Sequence, residues 1–409
     1  MDNETPDLSH LCSSLGEFSW WLFEGCAKQG RTRMTFEHVL DARLIEGRRK
    51  THQPAGARLA LDASDADGLR QRINRAYLNN WDDSRVRRRL HRLADAAVPD
   101  AIAFVIDDTG IVKKGVKSPG VHRQYTGTAG KVENCQIVVS THLASESRGL
   151  PLEMDLYLPS AWTDDLSRCQ DAGIPDDIEF RTKPDIALDQ LDDLLAAGVG
   201  KRVVVADAGY GDKTNWRKAL DERGLEFVVD VASKTKFWRP NEGPDPAPEY
   251  EGRGRPPKRR FPGEFQPITV RDLADELEDD MWEVVELREG SKVRTSRFAA
   301  VRGVRSAHRA VWGREPGKPR ILVVEWPEDL DSPSHFFISN LPLDTPLETV
   351  ARLGKLRWRV ERDYQDLKQD LGFTHYEGRT WTGFTHHLTI SMAAMTYVVA
   401  CQALFPPQP

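Results

Sequence analysis

Three acidic residues stand where carboxylates could gather a metal ion. Asp108 closes the apolar run AIAFVIDDTG, Asp207 closes KRVVVAD, and Glu361 lies in RWRVERDYQDLK. One carboxylate on each of two strand-like runs, with a third on a late helix, supplies hard oxygen ligands for a pair of Mg²⁺ or Mn²⁺ ions. Paired ions of this kind suit in-line attack on a phosphodiester. Asp107 competes with Asp108, but strand alternation turns the two to opposite faces, and Asp108 is preferred. Asp212 lies past the end of the second run, at an expected helix N-cap. Arg357 and Lys368 fall four residues before and seven after Glu361, on one stripe of an expected helix. A carboxylate flanked by two cations suits a metal ligand beside phosphate-holding groups. Asp363, Asp366 and Asp370 fall off that stripe and are expected in solvent.

The elements that must position these residues can be read from hydrophobic periodicity. Residues 1–98 show helical spacing, as in Phe18, Trp21, Leu22 and again Val86, Leu90, Leu93. Within them, WDDSRVRRRLHRLADA places Arg85, Arg88, Arg89 and Arg92 near one another on a helix, a surface suited to a DNA end. From 99 to 231 the pattern alternates: strands at 101–108, 134–142 and 150–158, a helix at 184–198, a strand at 202–207, a helix at 213–223 and a strand at 225–231. The order β-β-β-α-β-α-β predicts an α/β fold with an RNase H-like core, a mixed five-stranded sheet with flanking helices. In such a core the first and fourth strands are parallel neighbours, which would bring Asp108 and Asp207 to one sheet edge. Residues 232–333 read as a β-rich insertion opened by a basic Pro/Gly-rich loop. Residues 334–409 return to the core with a strand at 335–342, a long helix from Pro346 that carries Glu361, and a C-terminal helix.

Composition narrows the class of protein. A chain of 409 residues is long enough for two or three domains. A net charge of −6 and a pI of about 6.0 do not by themselves mark a nucleic-acid binder. The signs are segregated, however, with basic clusters at Arg48-Arg49-Lys50, Arg85 to Arg92, Lys113-Lys114 with Lys117, and Arg253 to Arg260, and an acidic stretch over 272–289. The loop between the first two strands adds His122, Arg123 and Lys131 as candidate phosphate contacts. Five scattered cysteines without a CxxC pair argue against a zinc ribbon and for a reducing compartment. The acidic N-terminus lacks signal-peptide character, so a cytoplasmic protein is expected. Leu388 to Phe405 approaches membrane length but is interrupted by Thr389, Ser391, Thr396 and Gln402, and a buried terminal helix is expected instead of a span.

Several separated motifs agree in order with one family. DDTG (107–110), GVHRQYTGTAGKVENCQ (120–136), LPSAWTDD (158–165), VVVADAGYGD (203–212) and RWRVERDYQDLKQDLGF (357–373) resemble the bacterial insertion-sequence transposases of the DDE class. The branch in question carries a Tyr-x2-Arg-x3-Glu-x6-Lys signature. Arg357, Glu361 and Lys368 match its spacing, while Gly354 occupies the tyrosine place. The resemblance implies cut-and-paste transposition: two Mg²⁺ ions on Asp108, Asp207 and Glu361, cleavage of transposon ends, and attack of the freed 3′-hydroxyl on target DNA. It further implies double-stranded DNA as partner, a homodimer on paired terminal repeats, and a base-stacking position near His335 and Phe336. A nuclease or resolvase that cleaves without joining, and a non-catalytic DNA-binding descendant, are the competing readings.

Overall fold

The computed structural model describes residues 7–26, 32–243, 249–254, 265–290, 292–307 and 317–405. Most of the basic stretch expected from Arg253 to Arg260 lies outside them. The chain divides into two units, one formed by 1–201 with 359–409 and the other by 202–358.

The first unit opens with six helices, Leu8–Leu11, Leu15–Phe23, Thr32–Leu44, His52–Leu59, Ala63–Leu78 and Asp83–Ala97. Polar caps start several of them: Ser14 accepts from the Glu17 amide, and Asp82 from that of Arg85. Four strands follow: β1 (Ala103–Val112), β2 (His122–Thr126), β3 (Lys131–Ala144) and β4 (Gly149–Tyr157). All pair antiparallel through the long β3, with β1 along one edge and β2 and β4 along the other. The segment read from sequence as a loop with His122 and Arg123 is therefore half of a hairpin. Helix Lys183–Ala196 starts on a full capping box between Thr182 and Asp185, with proline in its first turn. Helix Trp381–Leu404 is long and apolar enough to cross a membrane by length and composition, yet it packs on β4 and on helix Asp83–Ala97. Its interior holds Phe384, Leu388, Ile390 and Met392, each buried.

The second unit is a mixed sheet. β5 (Val203–Ala206) and β6 (Phe227–Asp230) run parallel, joined by helix Thr214–Glu222. Four later strands extend it: β9 (Glu283–Glu289), β10 (Lys292–Ser306), β11 (Arg320–Pro327) and β12 (His335–Ser339), in the order β6-β12-β11-β10-β9. Short β7 (Lys236–Trp238) pairs with the end of β10 and with β8 (Ile268–Thr269). Strands from 232–333 thus continue the sheet begun by β5 and β6. Helix Leu347–Lys355 lays Leu347, Val350 and Ala351 on Phe298, Ile321 and Phe337 to make the core.

That core explains Gly354. A Cβ built there would meet the Phe337 ring at 2.7 Å, and Phe337 is itself buried. A tyrosine at this position would have to displace the ring. Gly354→Ala gains about 1 kcal/mol of helix propensity but overpacks a closed site, at a cost of about 1–3 kcal/mol. Packing wins, and Gly354→Tyr is expected to lower the melting temperature well beyond Gly354→Ala, as thermal unfolding followed by circular dichroism will show.

Candidate active site

Residues directly opposed across an antiparallel pair share a face of the sheet. Asp107 stands opposite Ser140 in β3. The Ser140 hydroxyl lies 2.6 Å from that of Tyr364, on helix Trp358–Gln369. Asp107 therefore faces the helix that carries Glu361. Asp108 stands opposite Val139, on the face where Thr141 meets Gln190 of helix Lys183–Ala196. There the Lys183 ammonium lies 3.0 Å from Asp108 Oδ2. The register sets Asp107, and not the expected Asp108, on the face toward the glutamate helix; alternation says that neighbours diverge without saying which face that helix will cover.

On the helix, Glu361 is exposed, Tyr364 is buried one turn later, and Lys368 lies two turns along. Lys368 Nζ donates to Thr128 Oγ1 at 3.0 Å, in the turn of the β2–β3 hairpin. Burial pushes the Tyr364 hydroxyl well above its usual range, and the Asp107 charge adds to this. Burial pulls Lys368 down, and the same carboxylate resists that fall. Both groups thus feel Asp107. Arg357 does not share this helix. Leu356 and Arg357 form a turn between helix Leu347–Lys355 and helix Trp358–Gln369, so the expected three-residue stripe reduces to Glu361 and Lys368. The helix also holds a buried acid where solvent was expected. Asp363 is fully enclosed, with Oδ2 2.8 Å from His142 Nδ1 and Oδ1 3.2 Å from Arg359 Nε.

In the second unit, Asp207 follows β5 and caps the short helix Ala208–Gly211, accepting from the Gly209 amide at 2.8 Å and the Tyr210 amide at 3.4 Å. Asp212 instead accepts from the Ala232 amide and the Thr235 hydroxyl, pinning the chain after β6. Sequence reasoning missed Asp230, although FVVD repeats the pattern of VVVAD. It ends β6 one place beyond the Ala206–Val229 pair. Burial raises its carboxyl to about 7, the Asp207 charge adding to this and Arg357 opposing it. Asp230 Oδ1 has no hydrogen-bond partner among the described residues.

No group of three His, Cys, Asp or Glu side chains that could hold a metal occurs among the described residues. In kind, however, the donors suit a hard divalent cation. They are carboxylates at a strand end, within a strand and on a helix, and a buried oxygen of Asp230 is left unsatisfied among the described residues.

The family described as DDE superfamily endonuclease matches residues 22–294, well over half of the chain. The chain belongs to the DDE superfamily endonucleases. Such enzymes generally use divalent metal ions, and the matched stretch contains Asp107, Asp108 and Asp207, with Glu361 beyond it. The chain is also similar to a probable transposase for insertion sequence element IS701 from Microchaete diplosiphon, at 33% identity over 155 residues. That match covers 37% of this chain and 38% of the relative, so the chain spans well under half the length of the relative it matches.

For a DDE superfamily endonuclease the placement of cations matters next. His122, Arg123 and Lys131 project from the β2–β3 hairpin and are exposed. Of the four arginines expected to present a basic face, Arg88 is exposed and Arg85 half-buried, while Arg92 lies 5.6 Å from the Trp21 ring centre. Arg89 is buried, donating to the carbonyls of Leu22 and Glu24, and is corrected from a DNA contact to a structural clamp. Arg87, not foreseen, binds Glu153 at 2.7 Å and Asp155 at 3.1 Å. His335 is exposed, but Phe336 is only 2% exposed and lies beneath Arg271, so base stacking on Phe336 is not open.

Proposed function

We propose that this endonuclease is a transposase that cleaves transposon DNA ends and joins them to target DNA. The observation that carries the reading is the docking of the Glu361 helix, through Tyr364 on Ser140, over the sheet face that bears Asp107. Family membership and similarity to an insertion-sequence transposase support it. Asp107 and Glu361 would hold Mg²⁺, or Mn²⁺ in its place; Asp207 as a further ligand, a pair of ions and an RNase H-like core are carried over from the sequence expectation. Bound there, the metal would raise the nucleophilicity of an attacking oxygen and offset charge building on phosphorus. Asp108, paired with Lys183, is assigned a supporting place on the opposite face.

The remaining groups hold substrate. Lys368 is anchored on Thr128 and pulled down by burial, and it can donate to a phosphate oxygen near Asp107. Arg357 carries a fixed positive charge at the entry to the glutamate helix. Exposed His122, Arg123, Lys131 and Arg88 supply phosphate contacts along a duplex. In the first step water attacks phosphorus and the strand leaves as a free 3′-hydroxyl. In the second that hydroxyl attacks target DNA, displacing an equivalent oxygen, so one site serves both displacements. The proposed working form is a cytoplasmic homodimer on paired terminal inverted repeats.

Incubation with Mg²⁺, a labelled duplex ending in the terminal repeat and a supercoiled target plasmid tests this. Label joined to plasmid is expected. Cut ends that never join would reduce the protein to a nuclease, and bound but uncut DNA would leave a binding protein.

A further inference from the structure

The cluster Arg48-Arg49-Lys50 takes no part in the chemistry above, yet its Arg49 and Lys50 border a cavity of about 880 Å³ in the first unit. The cavity lies among helix His52–Leu59, helix Ala63–Leu78 and the segment from His375 to Arg379, and its size is that of pockets enclosing a small ligand. Arg43, Arg49, Lys50, Arg70 and Arg379 line it against one carboxylate, Glu377.

These cations divide into two sets. Arg43 is spent on structure, donating to the Tyr77 hydroxyl and to the carbonyls of Leu371 and Gly372. Lys50 donates to the Arg43 carbonyl at 2.6 Å, and Arg70 binds Asp67 at 2.7 Å. Their charges are fixed around the cavity. Arg49 and Arg379 are exposed and have no ion pair among the described residues. Positive charge is crowded here. Burial lowers His52 to about 4, with Arg43 adding to the fall. Burial lowers His375 too, and Arg43, Arg49 and Lys50 press it further. Lys50 itself is lowered by burial and then by Arg43 and Arg58. An anion would relieve all three. The wall also offers flat surface, since the His52 ring stacks on Tyr77 with centres 4.8 Å apart.

We propose that this pocket receives the phosphate at the end of a DNA strand, held by Arg49 and Arg379, with the terminal base against His52. A terminal phosphate carries up to about two negative charges near neutral pH, and an internal phosphodiester carries one. Only a strand end can enter a concave site without bringing flanking duplex on both sides. The choice of DNA over other phosphates rests on the proposed function, whereas the anion site rests on the cavity.

Binding of the full chain, in EDTA so that cleavage plays no part, provides the test. Duplexes labelled at the far end and finished with a phosphate or a hydroxyl are compared by fluorescence anisotropy. The phosphate end is expected to bind about fivefold more tightly or better, and the double variant Arg49→Gln, Arg379→Gln is expected to erase that preference with an unchanged melting curve. Equal binding of both ends by the native chain, or a preference that survives in the double variant, overturns the proposal. Inorganic phosphate is the second probe. Stabilisation by it that depends on Arg49 and Arg379, without any end preference, assigns the pocket to free phosphate and rejects DNA. Because this readout needs no metal, it stands apart from failure of the cleavage reading.

Discussion

Asp107→Asn is expected to abolish DNA cleavage, and Asp108→Asn to retain it within about tenfold of the native rate. The two residues are adjacent and both half-buried, so burial does not separate them. Facing does. Asp107 shares its side of the sheet with Ser140 and hence with Tyr364, whereas Asp108 meets Lys183 on the other side. Replacing one carboxylate oxygen by an amide removes a charge and a hard ligand while keeping shape. Metal activation is worth several kcal/mol in the transition state, and each 1.36 kcal/mol is tenfold in rate. A fall of about a thousandfold or more is expected for Asp107→Asn and for Glu361→Gln. Asp108→Asn breaks one part-exposed ion pair, worth about 1 kcal/mol or less, and is expected to change the rate by less than about tenfold. Single-turnover cleavage of a labelled end, with binding measured in parallel, checks this. Full activity in Asp107→Asn together with loss in Asp108→Asn would exchange their roles.

The second large effect is on stability. Asp363 and His142 are both fully buried, 2.8 Å apart, and Arg359 closes the other carboxylate oxygen. His142 Nε2 continues to Ser140 at 3.0 Å, so the chain of polar contacts runs from Arg359 to Tyr364. The packing leaves no slack, because a Cβ on Gly149 would sit 2.1 Å from Asp363 Oδ2. Removing one member strands the others without water. Breaking such a buried pair costs about 3–5 kcal/mol, so Asp363→Ala is expected to lower the melting temperature by roughly 5–10 °C. Asp363→Asn keeps the shape and an acceptor for His142 and is expected to lose less than half as much. A melting point within about 2 °C of the native chain for Asp363→Ala would show that the network carries no such weight.

Much of this architecture was legible in the sequence because apolar periodicity is a local signal. Runs such as AIAFVIDD, NCQIVVSTH and VVVAD announce β1, β3 and β5, and Pro184 falls early in the helix expected at 184–198. β2 was missed because HRQYT buries only Thr126 and so shows no alternation. The break at Leu356 and Arg357 carries neither glycine nor proline, and Gly354 two residues earlier is a weak signal that a helix interior tolerates. The site was legible by residue type and strand-end position. What stayed hidden depended on neighbours distant in sequence: the face of Asp107 was set by β3 and the glutamate helix, and the burial of Asp363 by His142. Arg89 looks like any surface arginine until the carbonyls of Leu22 and Glu24 turn toward it.

The first unit is sewn together from both ends of the described chain. Helix Trp381–Leu404 covers β4 and helix Asp83–Ala97, but it emerges from the ribosome only after the whole second unit has been translated. Until then those partners wait with oily surface bare, a state prone to sticking and to chaperone capture. Synthesis therefore imposes a delay between making the strand aspartates and owning a finished enzyme, and a nascent polypeptide still tethered to its message has no completed first unit with which to cut DNA.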